Sequence, residues 1–331
     1  MKKSNYLFIL KLLIGIGLIT FLLSSIEMGS LLERLSNIDA RYLLLVFLSP
    51  HIAMFLSTIK WKILLALLHI HATSLRLFCL YMIGTFFSNF LPTMIGGDAI
   101  KAYTLYQETG QPEKVIASTF MDRLMGLTAL VSLLPLILLQ QDIRDSVPLL
   151  PLLLAGITLG YIILLILIFS PVFTLLGNFT FRHKLLAKGY EFLKSTHETV
   201  RLFRHHKKAL LVTYVISLGF YAFTILTPWL VSRSLGLEIS YLYLAAFVPI
   251  VMLSTIVPVS LNGLGITEAG YAIFLQMAGV PIADAIAIAL VLRIRFVITG
   301  LIGGLIFIKY KAAPNNKAAT ANEECITNKP A

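Results

Sequence analysis

The sequence predicts an all-α polytopic membrane protein of two inverted repeats, each with three spanning helices and one re-entrant helical hairpin. Three observations carry this expectation. Of 331 residues, 58% are hydrophobic and only 13% charged, whereas soluble domains carry about 25% charged residues. Too little polar surface exists to clothe two soluble domains. Six uncharged stretches, after Arg41, Arg76, Arg123, Asp145, Lys208 and Glu238, hold 18 to 36 residues each, and roughly 18–20 suffice to cross a bilayer. Finally, two Pro/Gly breaks fall at corresponding places in the two halves.

The first apolar run, 6–24, follows Lys2 and Lys3. No small-x-small cleavage site closes it, so it reads as an uncleaved span in which Lys11 snorkels toward the headgroups. A second span covers 42–59. Orientation then follows from the basic residues, which collect in cytoplasmic loops. Lys2/Lys3, the Lys60/Lys62/Arg76 segment, Lys101 and Lys114, the basic segment 171–208 and Lys309/Lys311 belong inside. The loops 27–41, 140–146 and 233–238 are poor in basic residues and belong outside. Both termini are therefore expected in the cytoplasm, with the chain multi-pass in the cell membrane. The formal net charge of +11 is absorbed by this asymmetry, and no basic stripe with aromatics on a polar fold marks a nucleic-acid binder.

These sides create a counting problem. The run 77–91 starts inside, yet the helix 115–139 must start there too, to deliver Asp142 and Asp145 outside. The chain between them must turn back, and Pro92, Gly96 and Gly97 supply the break. The same problem recurs with opposite hand, where 241–257 is separated from the last helix, 282–308, by Pro258, Gly263 and Gly265. Leu91-Pro92 matches Val257-Pro258, each followed by a glycine and then an acid, Asp98 or Glu268. Thr109-Gly110-Gln111-Pro112 matches Ala278-Gly279-Val280-Pro281, with Arg123 and Arg293 at similar distances beyond. Spans 147–170 and 209–231 open the second unit. The pattern gives a single membrane domain over 1–311, with repeat one at about 6–139 and repeat two at about 147–308. The tail 312–331 lacks apolar content and is expected to be disordered.

Charges within spans are functional candidates, because centrally placed they face protein interior or water. Asp122, Arg123, Arg293 and Arg295 qualify, and Asp98, Glu268, Lys101 and Asn262 sit at or near the two breaks. These eight are the headgroup-binding candidates. Arg123 and Arg293 are expected to face a shared cavity, since a guanidinium stays charged when desolvated and matches phosphate oxygens. Asp98 and Glu268 either pair with these arginines or meet a cationic headgroup. The bland alternative is that such charges only lock helices together. The glycines have two readings as well: freed backbone N–H groups for an anion, or tight packing. No metal or cofactor is expected: His69/His71 and His205/His206 lack a third ligand, and no P-loop occurs. Cys79 and Cys325 make no disulfide framework.

Two motifs carry a family resemblance. Phe90-Leu-Pro-Thr-Met-Ile-Gly-Gly-Asp-Ala-Ile-Lys101 is followed by Met121-Asp-Arg-Leu124, and Val257-Pro-Val-Ser-Leu-Asn-Gly-Leu-Gly-Ile-Thr-Glu-Ala269 by Arg293. Together they resemble the flippase-like membrane domain of lysylphosphatidylglycerol synthases. In the first copy the basic residue after Gly-Asp is displaced to Lys101. The resemblance implies a domain that moves an aminoacylated phospholipid across the bilayer. The soluble domain that makes this lipid in two-domain members is expected to be absent. Lipid handling without aminoacyl transfer follows, as a flippase or lipid-headgroup transporter that binds an anionic or phosphate-containing phospholipid. A membrane-embedded glycosyltransferase is the alternative, as is an accessory scaffold for a lipid-modifying enzyme. A homodimer and a lipid-modifying enzyme partner are both compatible with the leading reading.

Overall fold

The computed structural model describes residues 38–90, 95–170, 184–256 and 260–312, with scattered positions between 17 and 36. Most of the expected first span, with Lys2, Lys3 and Lys11, lies outside the described residues. So do Pro92, Pro258, residues 171–183 of the basic segment and the tail from 313 onward.

Every regular element among the described residues is a helix. The order is α1 (Ala40–Leu67), α2 (Ser74–Phe90), α3 (Ile95–Thr109), α4 (Pro112–Leu133) with a 3-10 extension (Leu134–Leu139), α5 (Gln141–Ser146) and α6 (Leu150–Phe169). Then come α7 (Lys184–Leu202), α8 (Lys207–Ser234), α9 (Tyr241–Ser254), α10 (Ile266–Met277) and α11 (Ile282–Ala312). Among these, α1, α4 with its extension, α6, α8 and α11 are long and apolar enough to cross a membrane. The second expected span, 42–59, continues at its C-terminal side to Leu67, which brings Lys60 and Lys62 into α1. Pro50, Pro228 and Pro249 sit inside α1, α8 and α9, as membrane helices tolerate when neighbours re-satisfy the backbone.

Small residues decide how closely the helices approach. Ser49, Ala53 and Ser57 repeat at four-residue spacing along α1, all buried, and form a small-residue seam against α8. Ser49 Oγ donates to the Phe223 carbonyl at 2.8 Å and lies 2.8 Å from Thr227 Oγ1. On α11, Gly300, Gly303 and Gly304 face α2. A methyl on Gly303 would strike the Met82 carbonyl, and one on Gly304 the Phe86 ring. Phe87 and Phe307 continue that interface edge to face.

The remaining apolar pairs are α2–α3 and α9–α10. Their helices have 17, 15, 14 and 12 residues, and at 1.5 Å per residue the longest covers about 26 Å, less than the roughly 30 Å hydrocarbon core. Within the first pair Gly97 abuts the Gly84 carbonyl and Ser88. Here the structure corrects the sequence reading. Gly96 and Gly97 lie in the first turn of α3 and not in the break itself, and Gly97 serves close packing. Each pair packs across the molecule as well as locally: α2 lies along α11, and α9 against the C-terminal end of α4. The links that follow the pairs are alike. Gly110 and Gly279 both adopt positive φ, 65° and 75°, a conformation glycine takes without steric cost, and each precedes a proline by two residues.

Candidate functional site

Two groups of charged side chains form where the short helices meet the long ones. The first gathers residues from four helices. On α4, Asp122 and Arg123 are adjacent and so point about 100° apart; each finds a partner on a different element. Arg123 Nε donates to Asp98 of α3 in a close ion pair. Asp122 is buried and meets two lysines: Lys101 Nζ at 3.1 Å from Oδ2, and Lys60 Nζ at 3.1 Å from Oδ1. Lys60 also donates to the Asp122 backbone carbonyl at 2.9 Å. Tyr81 of α2 donates its hydroxyl to Asp122 Oδ2 at 2.6 Å.

Lys101 bridges both carboxylates, since its Nζ lies 3.1 Å from Asp98 Oδ1 as well. Asp98 and Lys101 are three residues apart on α3 and share a face. The ammonium stands over the Tyr81 ring at 3.8 Å and the Trp61 ring at 4.6 Å, a cation–π arrangement strengthened by exclusion of water. Trp61 is fixed in turn, with Nε1 donating to Ser118 Oγ at 3.2 Å. Three cations thus share two carboxylates, leaving one formal positive charge. Most of it is sealed in, but the Arg123 side chain is 58% exposed. Among the described residues no hydrogen bond holds its two terminal nitrogens. Tyr221 of α8 stands within electrostatic reach of Arg123 and Asp122. A methyl on Gly126 would sit 3.5 Å from Lys60 Nζ and 3.9 Å from the Tyr221 hydroxyl, so the glycine leaves a small gap between them.

The second group is built differently. Asn262, Gly263 and Gly265 all take positive φ, at 46°, 70° and 80°; asparagine is among the few residues with a side chain that visit this region readily. The left-handed turn directs two carbonyls at one guanidinium. Arg293 Nη1 donates to Asn262 O at 3.4 Å, Nη2 to Gly263 O at 3.3 Å, and Nε to Glu268 Oε1 at 2.6 Å. The other Glu268 oxygen accepts from the Gly265 N–H at 2.7 Å, closing the N-terminus of α10. Gly263 is doubly required, because a methyl there would also strike Thr255 and Thr267. Arg293 is 18% exposed and Glu268 2%. This pair is neutral and closed.

Seven of the eight candidates therefore fall into two groups: Asp98, Lys101, Asp122 and Arg123 in one, Asn262, Glu268 and Arg293 in the other. Asn262 contributes its backbone carbonyl. Arg295 joins neither; Tyr271 of α10 lies within electrostatic reach of it. His69 closes α1 at positive φ. The sequence reading missed Lys60, Trp61, Tyr81 and Tyr221. Lys60 and Lys101 were expected on the cytoplasmic face, yet they are 5% and 1% exposed. The signal for Lys60 was available: it continues the Ser49, Ala53, Ser57 face at helical spacing, whereas Lys62 lies off that face and reaches Ser74.

Comparison with known proteins agrees with the motifs. The family described as "Lysylphosphatidylglycerol synthase TM region" matches residues 8–304. The chain belongs to this family. Among its relatives is the UPF0104 membrane protein PH1989 of Pyrococcus horikoshii, 25% identical over 91% of this chain and 96% of the relative. The UPF0104 membrane protein MJ1595 of Methanocaldococcus jannaschii is 21% identical over 95% and 97%. No solved structure matches. The lysylphosphatidylglycerol synthase TM-region match takes in both acid–arginine pairs and both glycine turns.

Proposed function

We propose that this chain is a phospholipid flippase or lipid-headgroup transporter of the cell membrane, and that the Arg123 group receives the phosphate of the headgroup. The observation that carries the reading is the surplus positive charge at mid-span, with an arginine held at Nε and open at its far end. An arginine in that position is functional by default and faces a protein interior or a wet cavity. Its planar fork suits phosphate oxygens, and a monoanionic headgroup would bring the group to neutrality.

Two inverted repeats fit the architecture. Asp98–Arg123 and Glu268–Arg293 have the same 25-residue separation and the same Nε-to-carboxylate contact. The left-handed Gly110 and Gly279, and the reciprocal packing of α2 on α11 and α9 on α4, agree with this. In this reading α2–α3 and α9–α10 are re-entrant hairpins, too short to span, with irregular backbone where it is buried in protein. Transport is a rocking of one repeat against the other around a site near their interface. The basic residues left outside the protein interior still favour cytoplasmic termini.

A glycosyltransferase would need a carboxylate free to act as base or metal ligand. Asp98, Asp122 and Glu268 are each engaged by cations, which disfavours that alternative. Reconstitution in liposomes with fluorescent phosphatidylglycerol and an outer-leaflet quencher tests the proposal. Translocation should occur with the native protein and fail with Arg123→Ala. Native-like translocation by folded Arg123→Ala protein would sink the site assignment; none by the native protein would sink the function.

A further inference from the structure

Arg295 is a charge the Arg123 group does not use. It lies 14 residues from either end of the span Ile282–Lys309, within one residue, or roughly 20 Å along the helix. An arginine cannot snorkel to the headgroups from that depth. Its Nε is buried without a hydrogen-bond partner, and so is Thr299 Oγ1 one turn further along α11. Residues four apart lie on one face of a helix, so the two unsatisfied groups are neighbours. Among the described residues no carboxylate pairs with Arg295, and Tyr271 of α10 lies within electrostatic reach of it. Tyr271 is itself wedged against Phe247, with rings 5.5 Å apart edge to face. Arg293, two residues earlier, cannot share its acid, because Glu268 is already taken by Arg293 Nε and the Gly265 N–H.

We propose that Arg295, with the Thr299 hydroxyl on the same face, forms a second oxyanion site on α11 that binds the phosphate of a membrane lipid. An unpaired guanidinium next to an unsatisfied hydroxyl at mid-span needs an acidic partner, and the described residues provide none. A phosphate oxygen supplies acceptors for both groups at once. The site belongs to the second repeat and is separate from the Arg123 group. It rests on the lipid-handling reading for the identity of its occupant only.

The test is native mass spectrometry of delipidated protein titrated with phosphatidylglycerol, alongside thermal unfolding with and without sodium phosphate. Native, Arg123→Gln, Arg295→Gln and Arg295→Lys proteins are compared. Arg295→Gln should bind phosphatidylglycerol about tenfold more weakly, Arg295→Lys should recover part of that loss, and Arg123→Gln should keep an Arg295-dependent event. In lipid-free detergent, Arg295→Gln should unfold no lower than the native protein, since it removes an unpaired charge. If phosphatidylglycerol does not bind but phosphate raises the unfolding temperature only when Arg295 is present, the oxyanion site stands and the lipid reading fails. Equal binding of both probes by native and Arg295→Gln protein overturns the proposal. Failure of both Arg295 variants to fold overturns it too, by showing a structural role.

Discussion

Asp98–Arg123 and Glu268–Arg293 have the same sequence spacing and the same Nε contact, yet their surroundings differ. In the second pair, one turn of left-handed backbone aims two carbonyls at Arg293, and Glu268 meets both the guanidinium and the cap of α10. Each of the three guanidinium nitrogens finds an acceptor locally. In the first pair, Lys101 shares Asp98 with Arg123, and Lys60 and Lys101 share Asp122. The carboxylates are oversubscribed, and the outermost cation is left open. An intramembrane arginine is not by itself a site: in the proposed reading, what separates a lock from a binding group is whether its counter-charge is already complete.

The largest effects should come from removing the shared anions. Asp122→Ala strands the buried Lys60 and leaves Lys101 only Asp98, which Arg123 also uses; Glu268→Ala strands Arg293 and the Gly265 N–H. Each should destabilise the fold by about 3–5 kcal/mol, as breaking a buried pair does, visible as lost yield and a lower unfolding temperature in detergent. Equal stability of native and Asp122→Ala protein would mean the buried group is not formed.

The sharpest contrast pits the two arginines against each other. Arg293→Ala should cost about 3 kcal/mol or more of stability. Arg123→Ala, whose side chain is largely exposed, should cost no more than about 1 kcal/mol while abolishing translocation. Parallel unfolding and flux measurements decide the matter, and the comparison breaks if the two variants lose stability equally.

Packing variants come next. Gly303→Ala forces α11 away from the Met82 carbonyl and should cost about 1–3 kcal/mol, measured by chemical or thermal unfolding. Gly126→Ala should do least harm. It meets only ordinary contacts with Lys60 and Tyr221 and gains up to about 1 kcal/mol of helix propensity. If the gap beside Gly126 admits part of the headgroup, flux will fall although stability does not.

Much of this organisation was legible in the sequence because the bilayer imposes it. Uncharged runs, Pro/Gly breaks and the loop bias located the later spans, the two short pairs and the arginines, since length and hydropathy act residue by residue. Lys60 was not legible, because a lysine near the end of an apolar run reads as a boundary unless the helix is known to continue to Leu67. Arg293 was taken as open for a similar reason: nothing in Asn262-Gly263 as a string of letters says which way its carbonyls point.

By itself, then, the sequence determined a helical membrane protein of this family, with short broken segments and four charges placed within apolar spans. Only the tertiary structure decided which charges satisfy one another. Ion pairing between helices, over 21 to 62 positions, depends on helix rotation, on glycine-limited approach distances and on backbone φ at a few turn residues. Those quantities are set by packing across the whole chain and not by any local run of residues.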